Sequence, residues 1–334
     1  MSPVVSRAGD LVCLSHLRWD FVYQRPNHLM ARFAKRRPVW FVEEPDFHEG
    51  APEWRVEPRE DGLRIVRTRL PHGLGEEGTI AAQRGLLDDW LRAHGVTPEV
   101  LWFYTPMALP WTKHVDAPVV VYDCMDELSL FHGAPPALRR NERELLARAD
   151  VVFTGGQSLY EAKARQHPNV HAFPSSVDRE HFAAARGGAA AREGGARGPR
   201  IGYFGVIDER LDTELLAAAA RMRPDWQFVM VGPVVKIDPA ALPREPNIEY
   251  VGGRPYAELP EHIRGWDVAI MPFARNDATR FISPTKTLEY LAAGKPVVST
   301  SIRDVVRPYG EEGVVRIADE PFAFVAAIQA ALED

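Results

Sequence analysis

Apolar strand-like runs alternate with helical stretches along most of this 334-residue chain, and this alternation restricts the possible folds more than any other feature. In the first half, helical spacing of apolar side chains is clear at residues 26–35 and 136–148. The strand-like runs around these stretches are residues 11–15, 39–42, 100–103, 119–122 and 151–154. Strands that are apolar on both faces and joined by helices are typical of a parallel sheet covered on two sides.

The alternation stops near residue 185 and restarts at residue 201. Residues 185–199 form a run rich in glycine, alanine and arginine that has nothing to bury, so we interpret it as a linker. After it come a helical stretch at 213–222, another at 322–332, and strand-like runs at 201–204, 228–231, 248–251 and 268–271. We therefore predict an α/β protein with two Rossmann-like, doubly wound parallel-sheet domains, residues 1–184 and 200–334, that face a cleft.

Charge and composition exclude several classes of protein. A formal charge of −6 leaves no broad basic surface, which argues against nucleic acid as a partner. The only cysteines, Cys13 and Cys124, lie in apolar runs and are expected to be buried thiols in a reducing cytoplasm. No apolar run approaches the ~20 residues that span a bilayer, and no leader pattern is present. Any contact with the inner membrane is expected to be peripheral.

The segment from Phe281 to Ser299 reads as a loop, a helix and a strand. Ser283 can cap the helix and Pro284 fits its first turn. Apolar residues at helical spacing share one face, and Gly294 supplies the C-terminal stop. We predict a helix that starts at Ser283 and Pro284 and is followed by a strand.

A helix N-terminus offers unpaired N–H groups and partial positive charge, so residues Thr285, Lys286 and Thr287 are candidates for holding a diphosphate. Glu289 lies roughly 7 Å further along the helix axis. That separation matches the distance from a diphosphate to the ribose hydroxyls of a nucleotide. A carboxylate readily accepts hydrogen bonds from such hydroxyls. The alternative is a surface ion pair between Lys286 and Glu289, three residues apart, which would stabilise the helix only slightly.

Gly205 follows the first strand of the second half, where glycine lets a phosphate approach the backbone. A simple tight turn is the alternative. The three-glycine dinucleotide fingerprint is missing, which argues against NAD. No Asp-x-Asp pair occurs, and Pro168 between His167 and His171 indicates a loop rather than a metal-binding helix face, so no metal and no cofactor are expected.

The helix segment resembles the second half of the donor-binding signature of family-four glycosyltransferases, in which two glutamates stand eight positions apart. Glu289 matches the second glutamate, and Phe281 stands where the first would be. In the same family, basic residues after the first glycine loop neutralise the diphosphate, a place that Arg210 could take here. A loop like Gly253-Arg254 contacts the base, although Arg254 could equally face solvent. Residues 174–182 resemble the segment that closes the family's first domain.

Residues 19–29 and 121–127 resemble a bacterial subgroup that makes cell-surface polysaccharides, the teichuronic-acid transferases among them. The resemblance implies a GT-B fold and transfer of a sugar from a nucleoside-diphosphate donor, expected to be UDP-linked, to a hydroxyl of a carbohydrate, lipid-linked or small-molecule acceptor. It also implies retention of anomeric configuration. Two alternatives stay open, a nucleotide-sugar epimerase of similar shape and a non-catalytic sugar-nucleotide-binding partner.

Three residues of the first half are candidates for the chemistry. His16 directly follows the first strand, and Asp123 and Asp126 follow another central strand. In inverting transferases of this architecture a histidine at such a position acts as general base and an aspartate orients it. The family that this chain resembles is retaining. Asp126 could therefore bind the donor sugar or the acceptor instead, and His16 could have no role beyond a hydrogen bond to a loop.

Overall fold

A computed structural model describes residues 9–186 and 198–334, which form two compact units. The first unit takes the chain up to residue 129 together with residues 133–155 and 160–173. The second unit contains residues 130–132, residues 156–159 and the described residues from 174 onwards.

The first unit contains a nine-stranded sheet that is parallel except for one edge hairpin. Its strands and helices are β1 (Asp10–Ser15), α1 (Arg25–Ala34), β2 (Val39–Glu43), β3 (Asp46–His48), β4 (Glu53–Pro58), β5 (Leu63–Pro71), α2 (Gly75–His94), β6 (Pro98–Phe103), α3 (Leu109–Thr112), β7 (Val119–Cys124), α4 (Ala137–Arg148), β8 (Val151–Thr154), the part of α5 (Gln157–Lys163) from residue 160 onwards, and β9 (Val170–Ala172). The strand order is β3-β5-β2-β1-β6-β7-β8-β9, and β4 pairs with β5 in antiparallel fashion. The order reverses between β2 and β6 on either side of β1, the position at which open α/β sheets bind ligands.

The second unit contains a six-stranded sheet in which every pairing is parallel. Its elements are α6 (Arg179–Ala183), β10 (Arg200–Phe204), α7 (Thr213–Met222), β11 (Gln227–Val231), β12 (Ile248–Gly252), α8 (Leu259–Arg264), β13 (Val268–Met271), α9 (Thr285–Ala292), β14 (Val297–Ser299), α10 (Arg303–Val305), β15 (Arg316–Ile317) and α11 (Pro321–Glu333). The order β12-β11-β10-β13-β14-β15 reverses around β10. The loops that follow β10 and β13 therefore flank the expected ligand position of this sheet.

The predicted class of fold is confirmed, but the boundary between the units differs from the prediction. The sequence assigned residues up to 184 to the first domain, whereas α6 packs with the second unit and Phe182 is fully buried in its core. Ala185 and Arg186, at the start of the predicted linker, belong to that unit as well. Residues 187–197 of the linker lie outside the described residues.

Both cysteines are buried free thiols, as their apolar surroundings predicted. Burial raises the pKa of Cys13 and of Cys124. Over residues 9–186 and 198–334, no helix combines the length and apolarity needed to cross a bilayer.

Candidate active site

The loops that follow β10 and β11 pack backbone to backbone against the ends of β11 and β12. The Gly205 N–H donates to the Val231 carbonyl at 2.8 Å, and the Gly232 N–H donates to the Gly252 carbonyl at 2.9 Å. Gly205 has a φ of 142° and Gly232 a φ of 154°, values that residues with a side chain disfavour. A Cβ atom added to Gly232 would lie 1.9 Å from the Gly205 carbonyl oxygen. This close packing therefore requires glycine at residue 232.

The side chain of Lys286 lies over the backbone of Gly205. A Cβ atom added to Gly205 would fall 2.0 Å from Cε of Lys286 and 2.6 Å from its Nζ. The same Nζ lies 5.8 Å from the ring centroid of Tyr203. A bare backbone segment beside an ammonium group is an arrangement that a phosphate can approach closely. The structure thus brings together two residues that the sequence singled out in separate segments.

Helix α9 begins at Thr285, and Pro284 occupies the capping position before it. The prediction that Ser283 caps this helix is wrong, because the proline in the capping position has no side-chain acceptor and none of the described side chains replaces it. Ser283 instead faces Gly156, where an added Cβ atom would lie 2.6 Å from the serine Cβ. The start of α9 therefore has no capping side chain at Pro284, and its partial positive charge can act on an external acceptor.

Buried contacts of two α9 side chains fix the helix against the sheet. The Thr287 N–H donates to the Pro284 carbonyl at 3.2 Å, and its hydroxyl points at Met271 Sδ, 3.6 Å away. Tyr290 is fully buried, and its hydroxyl accepts the Phe204 N–H at 2.9 Å and donates to the Phe204 carbonyl at 3.3 Å. Thr287 thus supports the helix rather than offering groups to a diphosphate. No sequence pattern indicated the role of Tyr290, which holds α9 beside the Gly205 loop.

Glu289 lies one turn after Lys286 and is 8% exposed. Burial raises the pKa of its carboxyl group to about 7, and the positive charge of Lys286 opposes this shift. The Thr285 hydroxyl lies 3.5 Å from Glu289 Oε2. A buried carboxyl group that titrates near neutrality gains from any ligand hydroxyl that donates to its charged form.

The other predicted donor residues have more exposed positions. Arg210 holds Asp208 in a two-pronged ion pair, with Nε 2.9 Å from Oδ1 and Nη2 2.7 Å from Oδ2. Its charge is therefore partly compensated before any ligand arrives. Gly253 and Arg254 follow β12 and are both exposed, so the Arg254 guanidinium is accessible for stacking.

In the first unit, Asp123 at the end of β7 is completely buried. Arg25 on α1 binds its carboxylate, with Nε 3.0 Å from both carboxylate oxygens, and also donates to the Phe173 carbonyl at 2.5 Å. Burial raises the pKa of Asp123, and Arg25 opposes that shift. The structure thus gives Asp123 a buried supporting position that joins β7 to the chain after β9, and not the open position that a group in contact with substrate needs.

His16 and Asp126, the other two candidates, are both half-buried and follow β1 and β7. Because β6 lies between these strands, the strand ends are roughly 10 Å apart. Two side chains starting from such positions can reach one bound hydroxyl group. The two residues therefore lie at the same edge of the sheet.

A buried ion cluster holds the loop that contains Asp126. Lys163 on α5 is 1% exposed, and its Nζ lies 2.6 Å from carboxylate oxygens of both Glu127 and Glu142. The Tyr122 hydroxyl also donates to Glu142, at 2.8 Å. A lysine paired with two carboxylates in the interior fixes the direction of this loop. Sequence reasoning missed the cluster, since its members are far apart along the chain.

Within the two described stretches, no group of three or more His, Cys, Asp or Glu side chains is arranged to hold a metal ion. Metal-independent chemistry stays a prediction. The positive charge beside the Gly205 loop comes from Lys286 and from the start of α9.

Comparison with known proteins supports the resemblance seen in the sequence. Residues 198–334 match the family model described as glycosyl transferases group 1. A relative is TuaH of Bacillus subtilis strain 168, provisionally named a teichuronic acid biosynthesis glycosyltransferase, which is 30% identical over 238 residues. That match covers 64% of this chain and 58% of TuaH.

Solved structures show the fold. Sucrose-phosphate synthase from Thermosynechococcus elongatus has a TM-score of 0.74 at 17% identity, covering 98% of this chain and 90% of its own. An α,α-trehalose-phosphate synthase (UDP-forming) from Burkholderia xenovorans, in complex with glucose-6-phosphate, has a TM-score of 0.68 at 14% identity and coverages of 97% and 92%. Anabaena HepE, in complex with UDP and glucose, has a TM-score of 0.65 at 15% identity and coverages of 97% and 90%. The chain has the GT-B fold, and residues 198–334 are similar to the glycosyl transferases group 1 family.

Proposed function

We propose that the protein is a glycosyltransferase that takes a sugar from a UDP-sugar donor and passes it to a hydroxyl group of an acceptor. The observation that carries this proposal is the position of the Lys286 ammonium group over the bare backbone of Gly205, beside the start of α9. The diphosphate binds there, and the Glu289 carboxylate accepts hydrogen bonds from the ribose hydroxyls. The uracil ring lies by Gly253 and the exposed guanidinium of Arg254.

Two similarities support the choice of donor. Anabaena HepE, which shares the fold, was solved with UDP and glucose, and the Burkholderia enzyme is named a UDP-forming synthase. The match of residues 198–334 to a glycosyltransferase family covers all the proposed diphosphate and ribose contacts. Transfer with retention and without a metal ion belongs to the proposal, as do the roles of His16 and Asp126 near the acceptor. So do a cytoplasmic location and peripheral contact with the inner membrane.

The test is product analysis by proton NMR. The protein is incubated with each of several UDP-hexoses, first alone and then with a panel of hydroxyl acceptors. We expect UDP release and a new glycoside with retained configuration only when an acceptor is present. Conversion of the donor sugar without acceptor would identify an epimerase instead. UDP binding with no turnover of any donor would identify a binding partner.

The His16→Ala variant distinguishes the two stereochemical routes in the same assay. On the retaining route the variant keeps most of its activity, because the leaving phosphate assists deprotonation of the acceptor. Inversion, together with a loss of about 10²–10⁴-fold in rate for the variant, would show that a general base acts and that the retaining proposal is incorrect.

A further inference from the structure

A cavity of about 550 Å³ lies in the first unit, at the carboxyl ends of β1 and β2 and beside the loop that follows β6. The first two turns of α2 close one side of it. None of its lining residues belongs to the set that the sequence singled out for function. Its position is the one at which a sheet with this strand order binds ligands.

Much of the cavity wall is apolar. Trp111 and Met107 come from the segment after β6, Ile80 from α2, and Phe47 from β3. Phe47 is 49% exposed, so its ring is accessible to a ligand. Such walls favour an occupant that carries an apolar ring or chain, since burial of apolar surface supplies most of the affinity of small-molecule sites.

The cavity also presents hydroxyl groups that can donate hydrogen bonds. The Ser15 hydroxyl accepts the Leu17 N–H at 3.0 Å, and the Thr105 hydroxyl accepts the Met107 N–H at 3.2 Å. In the described parts of the chain neither hydroxyl donates to an acceptor, so each has a proton available for a ligand oxygen. These two groups suit the hydroxyl oxygens of a sugar.

The charged residues that line the cavity are acidic. Glu43, Glu44 and Glu76 line it, whereas no lysine, arginine or histidine does so among the residues that the structure describes. The negative charge of Glu43 is compensated by two arginines: Arg18 Nη1 lies 3.3 Å and Arg67 Nε lies 3.1 Å from Glu43 Oε2.

The start of α2 is the place where a phosphate could otherwise bind, but Glu76 and Glu77 occupy its first turn. Glu76 pairs with Arg140 at 3.2 Å, and both side chains are exposed, so the pair is weak. A phosphate in this cavity would lose water without gaining a cationic partner.

We propose that this cavity takes the acceptor, and that the acceptor is an uncharged hydroxyl compound with an apolar group, such as an aryl or alkyl glycoside, rather than a phosphate ester. This inference rests on the proposed function only in taking the occupant to be the acceptor. The chemistry of the cavity wall selects the class of compound.

The test uses two probes that differ in one group, phenyl β-D-glucopyranoside and its 6-phosphate, titrated by ligand-observed NMR. We expect the neutral probe to bind about tenfold more tightly than the 6-phosphate, because the latter meets carboxylates and no cation. Thr79→Trp, which fills the cavity from α2, should weaken the neutral probe by about tenfold or more. Glu76→Gln should narrow the gap between the probes.

Ala81→Trp is the matched control, because Ala81 is exposed on the same helix and does not line the cavity. It should leave both affinities unchanged. Urea unfolding followed by tryptophan fluorescence shows for every variant whether the first unit is folded, and calorimetry with UDP tests the donor site independently. The acceptor proposal is overturned if the 6-phosphate binds as well as the neutral probe, if the neutral probe does not bind, or if Thr79→Trp leaves its affinity unchanged. If the wild-type protein does not bind UDP, that result contradicts the proposed function but not the assignment of the cavity to an uncharged, apolar compound.

Discussion

The buried carboxyl group of Glu289 affects nucleotide binding and protein stability in opposite directions. The pKa of the group is about 7 in the folded chain, against an ordinary 4.5. Between these values the folded state holds a proton that the unfolded state has lost, so the free energy of unfolding falls as pH rises from about 4.5 to about 7. Above that range the ionised group costs about 3 kcal/mol of stability. A ligand that donates hydrogen bonds to the carboxylate offsets part of this cost.

Glu289→Gln should therefore have two effects of opposite sign. The variant cannot ionise, so it should be more stable than the wild type by about 3 kcal/mol at pH 8.5 and by less than about 1 kcal/mol at pH 5. UDP binding should weaken by about 1 to 3 kcal/mol, the scale of a lost hydrogen bond to a charged group. Urea unfolding at the two pH values and calorimetry with UDP measure the effects separately.

Glu312→Gln is the matched control, since Glu312 is exposed in the same unit. It should change neither quantity. Unchanged UDP affinity in Glu289→Gln would remove Glu289 from the ribose site, and a stability difference that is the same at both pH values would contradict the role of burial.

Individual residues differ in how well the sequence indicates their role. Lys286 and Glu289 were found because their spacing on one helix fixes their separation, whatever the rest of the chain does. The placement of Asp123 after a strand was also predicted, but its pairing with Arg25, 98 positions away, decides that it is buried. A contact between such distant positions leaves no local pattern.

At the scale of elements, the Lys163 cluster determines where the loop after β7 points. Lys163→Met should lower the free energy of unfolding of the first unit by about 3 to 5 kcal/mol, because the buried carboxylate of Glu142 and the half-buried carboxylate of Glu127 lose their cation. The same variant should lose transfer activity while keeping UDP affinity, since the loop contains Asp126 and the donor contacts lie in the other unit. Urea unfolding followed by tryptophan fluorescence, with calorimetry of UDP binding, measures these effects.

Lys113→Met provides the comparison. Lys113 forms an exposed ion pair with Glu144, and such pairs contribute less than about 1 kcal/mol. If the two lysine variants lose the same stability, the buried cluster does not have the supporting role assigned to it.

Helix α2 shows what sequence patterns miss. It spans 20 residues, yet it was not predicted, because glycines at positions 75, 78 and 85 and a narrow apolar face weaken its helical pattern. Tertiary packing of Leu86, Leu87 and Trp90 stabilises it instead. The cavity that α2 closes could not be predicted for the same reason. Strands β1, β10 and β13 were predicted correctly, because a continuous apolar run by itself indicates a buried strand.

For the molecule as a whole, we expect transfer to proceed without a divalent ion, with the chain itself supplying positive charge at the diphosphate. Activity should persist after prolonged treatment with EDTA. Lys286→Met should lower kcat by about 10²–10³-fold, the effect of removing one preorganised charge-stabilising group. Lys35→Met, an exposed lysine of the first unit, serves as control and should keep full activity. Loss of turnover in EDTA with recovery on adding magnesium or manganese would refute the metal-free proposal.

The two buried thiols have a practical consequence for experiments on this protein. Because alkylating reagents attack the thiolate, a cysteine with a raised pKa and no access to solvent reacts slowly. The chain contains no other cysteine. A single cysteine introduced on the surface can therefore carry a fluorescent or spin label with the native residues left in place. Pairs of such labels, one in each unit, would report the distance between the units as donor and acceptor bind.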